Sequence, residues 1–314
     1  MICPICKKNT DKIIADTLRD SSKQKVFLCQ HCGLGMLDQR QTDDELKKFY
    51  AKNYRSIGKP KLESESNPEE LFEIYSQFQN DRLRLLRPYF DKKNKVLEVG
   101  CSAGMFLWHI KKLVVESIGL DFDISSAKFA AKKCGIKTYT ENITETSLKK
   151  HYFDMIAAFQ VLEHVQNPPG FIKKHAAYLK KGGVMAIEVP NLYDVLVHIY
   201  NLPNHYRFFY HSAHLWYFTE KSLIKLMEKC GFTGKIFHIQ DYNVLNHMNW
   251  ILNDKPQPDC LPGLSEPKLP LRKTVSPKLA AALNDFIVDT DKKYKKLLAQ
   301  FKITSNIIFI GKKR

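Results

Sequence analysis

The sequence lacks the features that mark membrane-spanning, secreted and low-complexity proteins. It contains no run of about 18 apolar residues, so it predicts no membrane-spanning helix. The first ten residues, MICPICKKNT, have no apolar stretch of the kind a secretory signal needs, and we expect a cytoplasmic protein. Glycine and proline number only 14 each, which excludes a collagen-like or low-complexity chain. The 314 residues, 44% of them hydrophobic and 26% charged, indicate a globular protein with a sizeable core.

Arginine is also scarce, although the chain is strongly basic. The formal net charge is +16, and it comes from 40 lysines against 9 arginines. Proteins that read nucleic-acid sequence favour arginine, because its planar fork matches phosphate and guanine. The positive charge therefore permits an anionic partner, such as RNA, a nucleotide-sugar or a phosphorylated metabolite, without selecting one of them.

The eight cysteines fall into two groups. Four form two C-x2-C pairs separated by 22 residues: Cys3, Cys6, Cys29 and Cys32. Two such pairs place four thiolates around one ion, which predicts a closed and therefore structural zinc site. The alternatives are reduced thiol pairs or disulfides, and a cytoplasmic location disfavours disulfides. The scattered cysteines are expected to be small buried hydrophobic residues: Cys101, Cys134, Cys230 and Cys260.

The remaining pattern divides the chain into three parts. Residues 1–40 are predicted to be a zinc ribbon, and residues 41–92 a helical linker or lid, with helices from Thr42 and from Pro68 to near Pro88. Residues 93–314 alternate between strands and helices, which predicts a parallel α/β sheet. The predicted strands are 95–99, 117–121, 153–159, 184–189, 235–240 and 306–310. The predicted helices are 105–112, 125–134, 168–180 and 220–230, with another at 277–300 inside an insertion at 241–303.

A glycine-containing turn between the first strand and the first helix of this α/β part indicates a nucleotide-like cofactor. The turn reads Glu98-Val-Gly100-Cys-Ser-Ala-Gly104, and Asp121 follows 21 residues after its first glycine. The glycines allow the backbone to approach a ligand, and a carboxylate at the second strand can accept both hydroxyls of a ribose. The G-x-G-x-x-G spacing that holds a pyrophosphate is missing. A cofactor with adenosine but no phosphates, S-adenosylmethionine (SAM), fits better.

Four segments in this order resemble the successive motifs of class I SAM-dependent methyltransferases: VLEVGCSAGMFLWHI, GLDFD, FDMIAAFQVLEHVQNP and LKKGGVMAIEVPN. The N-terminal CPIC…CQHCGLGML with KKFYAKNY, and the later HLWYFTEKSLIKLMEKCGF, are similar to zinc-ribbon methyltransferases of sugar and cell-surface glycan pathways, including the sugar C-methyltransferases. The C-terminal domain of those C-methyltransferases is not evident. The resemblance implies a Rossmann-like class I methyltransferase sheet, an N-terminal zinc ribbon and an insertion before the last strand.

The resemblance also implies roles for individual residues. The SAM loop would comprise Glu98, Gly100, Cys101, Ser102 and Gly104. Asp121 would hold the ribose, with Phe122 against the adenine, and Asn142 and Ile143 would flank the adenine edge. Gln160 and Val161 would lie under the methionine part of the cofactor.

Histidines near the expected acceptor pocket are candidates for a general base. His164 follows the fourth strand in Leu-Glu-His-Val, and its alternative role is to hold a loop by hydrogen bonds. His211 and His214 lie in an aromatic segment, residues 198–218, that suits ring stacking with a sugar. The alternative for this segment is an aromatic cap packed on the sheet edge. The histidine spacing there is not that of compact ligand pairs, so the sequence predicts no second metal site.

Three functions follow from these observations. The first is methyl transfer to a sugar, nucleotide-sugar or glycan-related small molecule. The second is RNA methylation, with the ribbon and lysines holding RNA, although residues 1–40 carry seven basic against four acidic side chains and are only modestly basic. The third is a non-catalytic scaffold, against which the intact cofactor motif argues. The insertion at 241–303 is a candidate lid or oligomer contact.

Overall fold

The structure, a computed structural model, describes residues 1–38 and 67–314. The helix predicted from Thr42 and the linker predicted at 55–66 lie outside these residues. The central sheet contains seven strands: β4 (Lys95–Val99), β5 (Glu116–Leu120), β6 (Lys137–Tyr139), β7 (Phe153–Phe159), β8 (Leu179–Pro190), β10 (Phe232–Ile239) and β11 (Asn306–Lys313). Their order is β10-β11-β8-β7-β4-β5-β6, and β11 runs antiparallel to both of its neighbours. The predicted Rossmann-like, mostly parallel α/β sheet is confirmed.

A second, antiparallel sheet contains three short strands from the N-terminal region that carries the paired cysteines, and one strand from residues 216–217. It comprises β1 (Ile13–Ala15), β2 (Val26–Leu28), β3 (Gly35–Leu37) and β9 (Trp216–Tyr217). We call residues 1–38 the ribbon. Because β9 belongs to the predicted aromatic segment, the ribbon and the larger part of the chain share one sheet.

The helices flank the seven-stranded sheet or lie between its strands. They are α1 (Pro68–Tyr75), α2 (Asn80–Leu86), α3 (Met105–Ile110), α4 (Ile124–Cys134), α5 (Pro168–Ala176), α6 (Val195–His198), α7 (Pro203–Phe209), α8 (Glu220–Lys229), α9 (Val244–Asn253), α10 (Leu261–Leu264) and α11 (Pro277–Gln300). Short 3-10 turns lie at Ser76–Phe78, Arg87–Tyr89 and Leu162–His164. No helix in the described parts of the chain is both long and apolar enough to cross a bilayer.

Two predicted helices are wrong in their extent. The single helix expected from Pro68 to near Pro88 is divided into α1 and α2, because Gln79 leaves helical geometry and its side-chain amide donates to the carbonyl of Tyr75. The helix expected to reach residue 180 ends at Ala176, since Leu179 already pairs with Phe153 in the sheet. In the second case the strand pairing overrides the local helical pattern.

The ribbon is fixed to the segment 206–219 by backbone and side-chain contacts. The amide of Arg19 donates to the carbonyl of Tyr210 over 2.7 Å, and its guanidinium lies 3.6 Å from the ring centre of Phe208. The amide of Leu37 donates to the carbonyl of Leu215 over 3.1 Å. Buried ribbon residues pack in the same core cluster as buried residues of this segment, and they include Leu18, Leu34 and Met36.

Candidate cofactor and acceptor site

A cavity of about 880 Å³ opens at the carboxyl ends of β4, β5 and β7. This edge is where parallel α/β sheets bind ligands, because the strand order reverses there and the connecting loops diverge. The helices α1 and α2 cover one side, and α5 and the residues after β10 cover another. Of the residues predicted to bind SAM, all but Gly104 line the cavity. Its volume lies in the range of small-molecule sites.

The turn after β4 is shaped by two residues with positive φ. Gly100 has φ +72°, and a Cβ added there would lie 2.4 Å from Cγ2 of Val161. Ser102 has φ +46°, and its amide donates to Asp121 Oδ2 over 2.7 Å. Gly104, at φ +82°, does not face the cavity. A Cβ there would meet Ala130 and Cys134 at 2.9 Å each, so this glycine allows α3 to pack on α4.

Asp121 lies directly after β5 and is held by the backbone on both sides. Its Oδ1 accepts from the amide of Asp123 over 2.8 Å, opposite the contact from Ser102. Each carboxylate oxygen has a second lone pair, so the oriented carboxylate can still accept from a ligand. Phe122, 37% exposed, and Ile143, 1% exposed, both line the cavity. This arrangement suits an adenosine, with one carboxylate for the ribose and an aromatic face for the base.

Three further predicted residues form the floor and rim of the cavity. Cys101 is 2% exposed, and burial raises the pKa of its thiol well above the ordinary value, so it is packing rather than reactive. The Asn142 amide donates to Glu145 over 3.2 Å at the rim. The carboxyl of Glu98 is buried, which raises its pKa, and its Oε2 has no hydrogen-bond partner among the described residues. An orphaned buried oxygen on the cavity wall is what an ammonium-bearing ligand such as SAM would satisfy.

A buried polar network at the end of β8 was not predicted from the sequence. Arg82 of α2 donates to both carboxylate oxygens of Glu188, over 2.8 and 2.6 Å. Gln160, at φ +56°, donates to Glu188 over 3.0 Å and to Asn306 over 3.1 Å. Burial and the nearby Glu188 charge raise the pKa of Asp241 to about 6. In the sequence, the one feature that indicates this network is a charged residue, Glu188, inside the apolar run VMAIEVP. The network connects α2 to the end of β8.

His164 lies on the wall of the cavity and is the predicted histidine that reaches it. Its Nδ1 donates to the carbonyl of Ala213 over 2.8 Å, since a carbonyl can only accept. Burial lowers the pKa of this imidazole to about 4, so it is neutral at physiological pH and only weakly basic. The neighbouring Glu163 is 1% exposed, and burial raises the pKa of its carboxyl to about 8.

His211 and His214 lie behind His164 rather than on the cavity wall. The ring centres of His164 and His214 are 4.8 Å apart, and those of His211 and His214 are 3.7 Å apart. The aromatic residues of this segment are mainly packed against the ribbon: Tyr210, Trp216, Tyr217 and Phe218 are at most 2% exposed. The aromatic side chains that line the cavity come from elsewhere, and they include Phe78, Phe171 and Tyr242.

The four N-terminal cysteines converge at one end of the ribbon. Cys3 Sγ lies 3.5 Å from Cys32 Sγ, and Cys6 Sγ lies 3.4 Å from Cys29 Sγ. All four sulfurs lie within 4.8 Å of one another, and none is in a disulfide. Sulfurs bound tetrahedrally to zinc at ~2.3 Å would be ~3.8 Å apart, so the cluster has the dimensions of a zinc site.

Comparisons with known proteins agree with this geometry. The profile of the methyltransferase domain family matches residues 70–235. The ubiquinone biosynthesis O-methyltransferase of Pelagibacter ubique is 28% identical over 52% of this chain and 71% of its own length. The same-named enzyme of Bradyrhizobium diazoefficiens is 33% identical, but the alignment spans only 31% of this chain and 40% of that relative.

Two solved structures share the fold. A SAM-dependent methyltransferase from Archaeoglobus fulgidus is 24% identical with a TM-score of 0.51, over 78% of this chain and 97% of that one. A chain from the complex between the Haloferax volcanii Trm112 methyltransferase activator and a methyltransferase is 12% identical, also with a TM-score of 0.51, over 87% of this chain and 99% of that one. With the family match covering more than half of the sequence and the cofactor loop in place, the chain belongs to the methyltransferase domain family and is a class I SAM-dependent methyltransferase.

Proposed function

We propose that the protein methylates a hydroxyl oxygen of a small molecule that binds beside SAM in the cavity. The observation that carries this proposal is the cavity, which has the ribose-type carboxylate of Asp121 on one wall and His164, Phe171 and Tyr242 on the others. Its walls enclose a volume suited to a cofactor with a compact acceptor. Relatives named as O-methyltransferases of ubiquinone biosynthesis support oxygen as the acceptor atom.

The residues of the cavity fit SAM in the order that the resemblance implies. Asp121 would accept from the ribose hydroxyls, Phe122 would cover the adenine, and Glu98 would face the ammonium of the methionine part. SAM supplies a methyl group already activated on a sulfonium sulfur. The protein's contribution is then alignment of the acceptor with that methyl group and exclusion of water, because displacement at the sulfonium carbon has a good leaving group.

His164 is proposed to contact the acceptor. Its Nδ1–H is engaged by Ala213, which directs the Nε2 lone pair away from that carbonyl. Its low pKa suits a hydrogen-bond acceptor or ligand atom better than a strong general base. His211 and His214 act through His164 in this proposal, because neither lies on the wall of the cavity.

We propose that the methylated acceptor is a sugar, a nucleotide-sugar or a glycan precursor. Lys174 and His175 line the cavity next to Phe171 and offer a cation and an aromatic face to a phosphorylated sugar. RNA is the alternative acceptor. Against it, the ribbon's inner face is used for packing on residues 206–219, and a cavity of about 880 Å³ suits a small acceptor.

The four-cysteine cluster is proposed to bind one structural zinc ion. Its sulfur separations fit a tetrahedral site, and four thiolates leave no position for a substrate. In this proposal residues 1–40 are a zinc ribbon, 41–92 include the helices that cover the cavity, and 93–314 form the methyltransferase domain with its insertion at 241–303.

The experiment that tests the function is methyl transfer from radiolabelled SAM into fractionated host extract. We expect the label in a nuclease-resistant fraction of small molecules or glycans, where the labelled methyl group is bound to oxygen as a methyl ether. A parallel reaction with Asp121→Ala controls for label that is independent of the cofactor site. Label that disappears with ribonuclease would instead identify an RNA methyltransferase.

A further inference from the structure

Behind the acceptor wall, three potential metal ligands converge from two segments of the chain. Glu163 and His164 lie in the 3-10 turn after β7, and His214 lies just before β9. One ligand atom from each lies within 4.8 Å of the other two. Apart from the four cysteines, this is the one such group of three or more metal-binding side chains among residues 1–38 and 67–314.

Two members of this cluster, Glu163 and His214, have buried polar atoms without a hydrogen-bond partner among the described residues. Neither carboxylate oxygen of Glu163 has a hydrogen-bond partner among the described residues, although its side chain is only 1% exposed. Its nearest approach to His164 Nε2 is 3.6 Å, which is too long for a hydrogen bond. The Nδ1 atom of His214 is also buried, with no hydrogen-bond partner in residues 1–38 and 67–314. Buried polar groups without partners are rare in folded proteins, and they indicate a ligand between them.

His164 is oriented in the way that metal-binding histidines usually are. One ring nitrogen, Nδ1, donates to the carbonyl of Ala213 over 2.8 Å. Such a contact fixes the tautomer, with the proton on Nδ1, and makes Nε2 the ring nitrogen that could coordinate an ion. Nε2 is also the atom that approaches Glu163, so the coordinating lone pair and the orphaned carboxylate face the same space.

We propose that Glu163, His164 and His214 bind one divalent transition-metal ion, with zinc as the preferred ion. Two imidazoles and one carboxylate are a ligand set of borderline softness that suits zinc, and three protein ligands leave a coordination position open. Because His164 is the ligand that lines the cavity, we place the open position on the cavity side of the ion. Histidine spacing does not predict this site, because His214 lies 50 residues after His164 and 51 after Glu163, beyond any compact spacing pattern.

The ion's role would be to bind the acceptor oxygen, and this role, unlike the binding itself, rests on the proposed function. Bound to the ion, the hydroxyl releases its proton to a water molecule more readily. The oxygen then forms a bond to the methyl carbon while the sulfur–carbon bond breaks. The electron pair stays on sulfur, which gives a methyl ether, neutral S-adenosylhomocysteine and one proton in solution.

The test measures metal binding by the full chain without SAM or acceptor. Metal analysis of the purified protein is expected to find two zinc ions per chain, one from the four cysteines and one from this cluster. Glu163→Gln and His214→Gln are each expected to retain one ion. His211→Gln is the matched control, since its ring stacks on His214 but it is outside the ligand set, and it is expected to retain two.

A cobalt titration of the metal-stripped wild-type chain keeps the test independent of variants that fail to fold. Two classes of Co²⁺ site are expected, one with intense thiolate charge-transfer bands in the near ultraviolet and one with only the weaker visible bands of nitrogen and oxygen ligands. A single thiolate class, or two ions retained by Glu163→Gln, would overturn the proposal. If the wild-type chain binds one zinc ion and still transfers methyl groups from SAM, this inference alone is overturned. If it binds two zinc ions but transfers no methyl group, the proposed function alone is overturned.

Discussion

The two sides of the His164 loop are built in different ways. Within the cofactor loop, contacts join residues close in sequence, such as the 2.7 Å bond from the Ser102 amide to Asp121, 19 residues away. On the ribbon side, contacts join distant residues, such as the bond from Arg19 Nε to the carbonyl of Phe208, 189 residues away. The contacts that shape the cofactor loop therefore come from within the methyltransferase part, whereas the segment that holds His164 through Ala213 is packed on the ribbon.

This difference predicts two separable effects of mutation. Changes on the cofactor side should alter the affinity for SAM, and changes on the ribbon side should alter turnover through the Ala213 carbonyl that orients His164. The four predictions below test that separation, starting with the largest expected effect.

Replacing Gly100 by alanine should weaken SAM binding by about 100-fold or more. The residue has φ +72°, and its new Cβ would lie 2.4 Å from Val161, so the turn must move. Isothermal titration with S-adenosylhomocysteine measures the effect. Gly135→Ala is the matched control, because its φ of +67° carries the same backbone strain with nothing within 4 Å. Equal losses in both variants would show that strain, rather than the shape of the cofactor side, is responsible.

Asp121→Ala should weaken SAM binding by roughly 10- to 100-fold, since the variant loses a charge-assisted acceptor for the ribose. Turnover at saturating SAM should remain close to that of the wild type, because the acceptor side is unaltered. Steady-state kinetics with varied SAM separate KM from kcat. Asp289→Ala, at a carboxylate 68% exposed on α11, is the control for loss of a negative charge. An unchanged KM would show that the ribose does not bind at Asp121.

Gly33→Ala on the ribbon side should lower turnover several-fold and leave the affinity for SAM unchanged. Its φ is +80°, and the added Cβ would lie 2.7 Å from Oγ1 of Thr219, which caps α8 next to β9. The strain of ~1–2 kcal/mol would loosen the ribbon's contact with residues 206–219. Gly182→Ala, at φ +73° in open space, is the control. A parallel loss of SAM affinity would contradict the independence of the two sides.

Tyr206→Phe should have the smallest effect, a loss of about 1 kcal/mol in the free energy of unfolding. Its hydroxyl donates to the carbonyl of Ile14 and so joins α7 to the ribbon. Thermal unfolding should shift by about 2 °C in a chain of this size, with Tyr193→Phe at an exposed side chain as the control. A shift of the same size in both variants would show that this contact contributes nothing specific.

The same contrast explains what the sequence could predict. The turn around Gly100, Asp121 and the paired cysteines are local patterns, in which spacing alone brings side chains together. Arg82 and Glu188 are 106 residues apart, and His214 is 50 residues from His164. Sequence periodicity predicts only local neighbours, so it does not predict contacts at these separations. The composition of the aromatic segment 198–218 fits either an acceptor wall or an aromatic cap, and the structure packs Tyr210, Trp216 and Tyr217 in one core cluster with the ribbon.

The pairing of β3 with β9 also constrains how the chain is made. The ribbon leaves the ribosome before β9 does, and β3 lacks its β9 partner until the 180 residues from Leu37 to Tyr217 have been added. At typical rates of translation, this interval lasts roughly 10 to 40 s. Throughout it the nascent chain presents an unpaired β-edge of the kind that promotes aggregation. Expression yield should therefore depend on how quickly the cell translates the chain and on the chaperones that meet it.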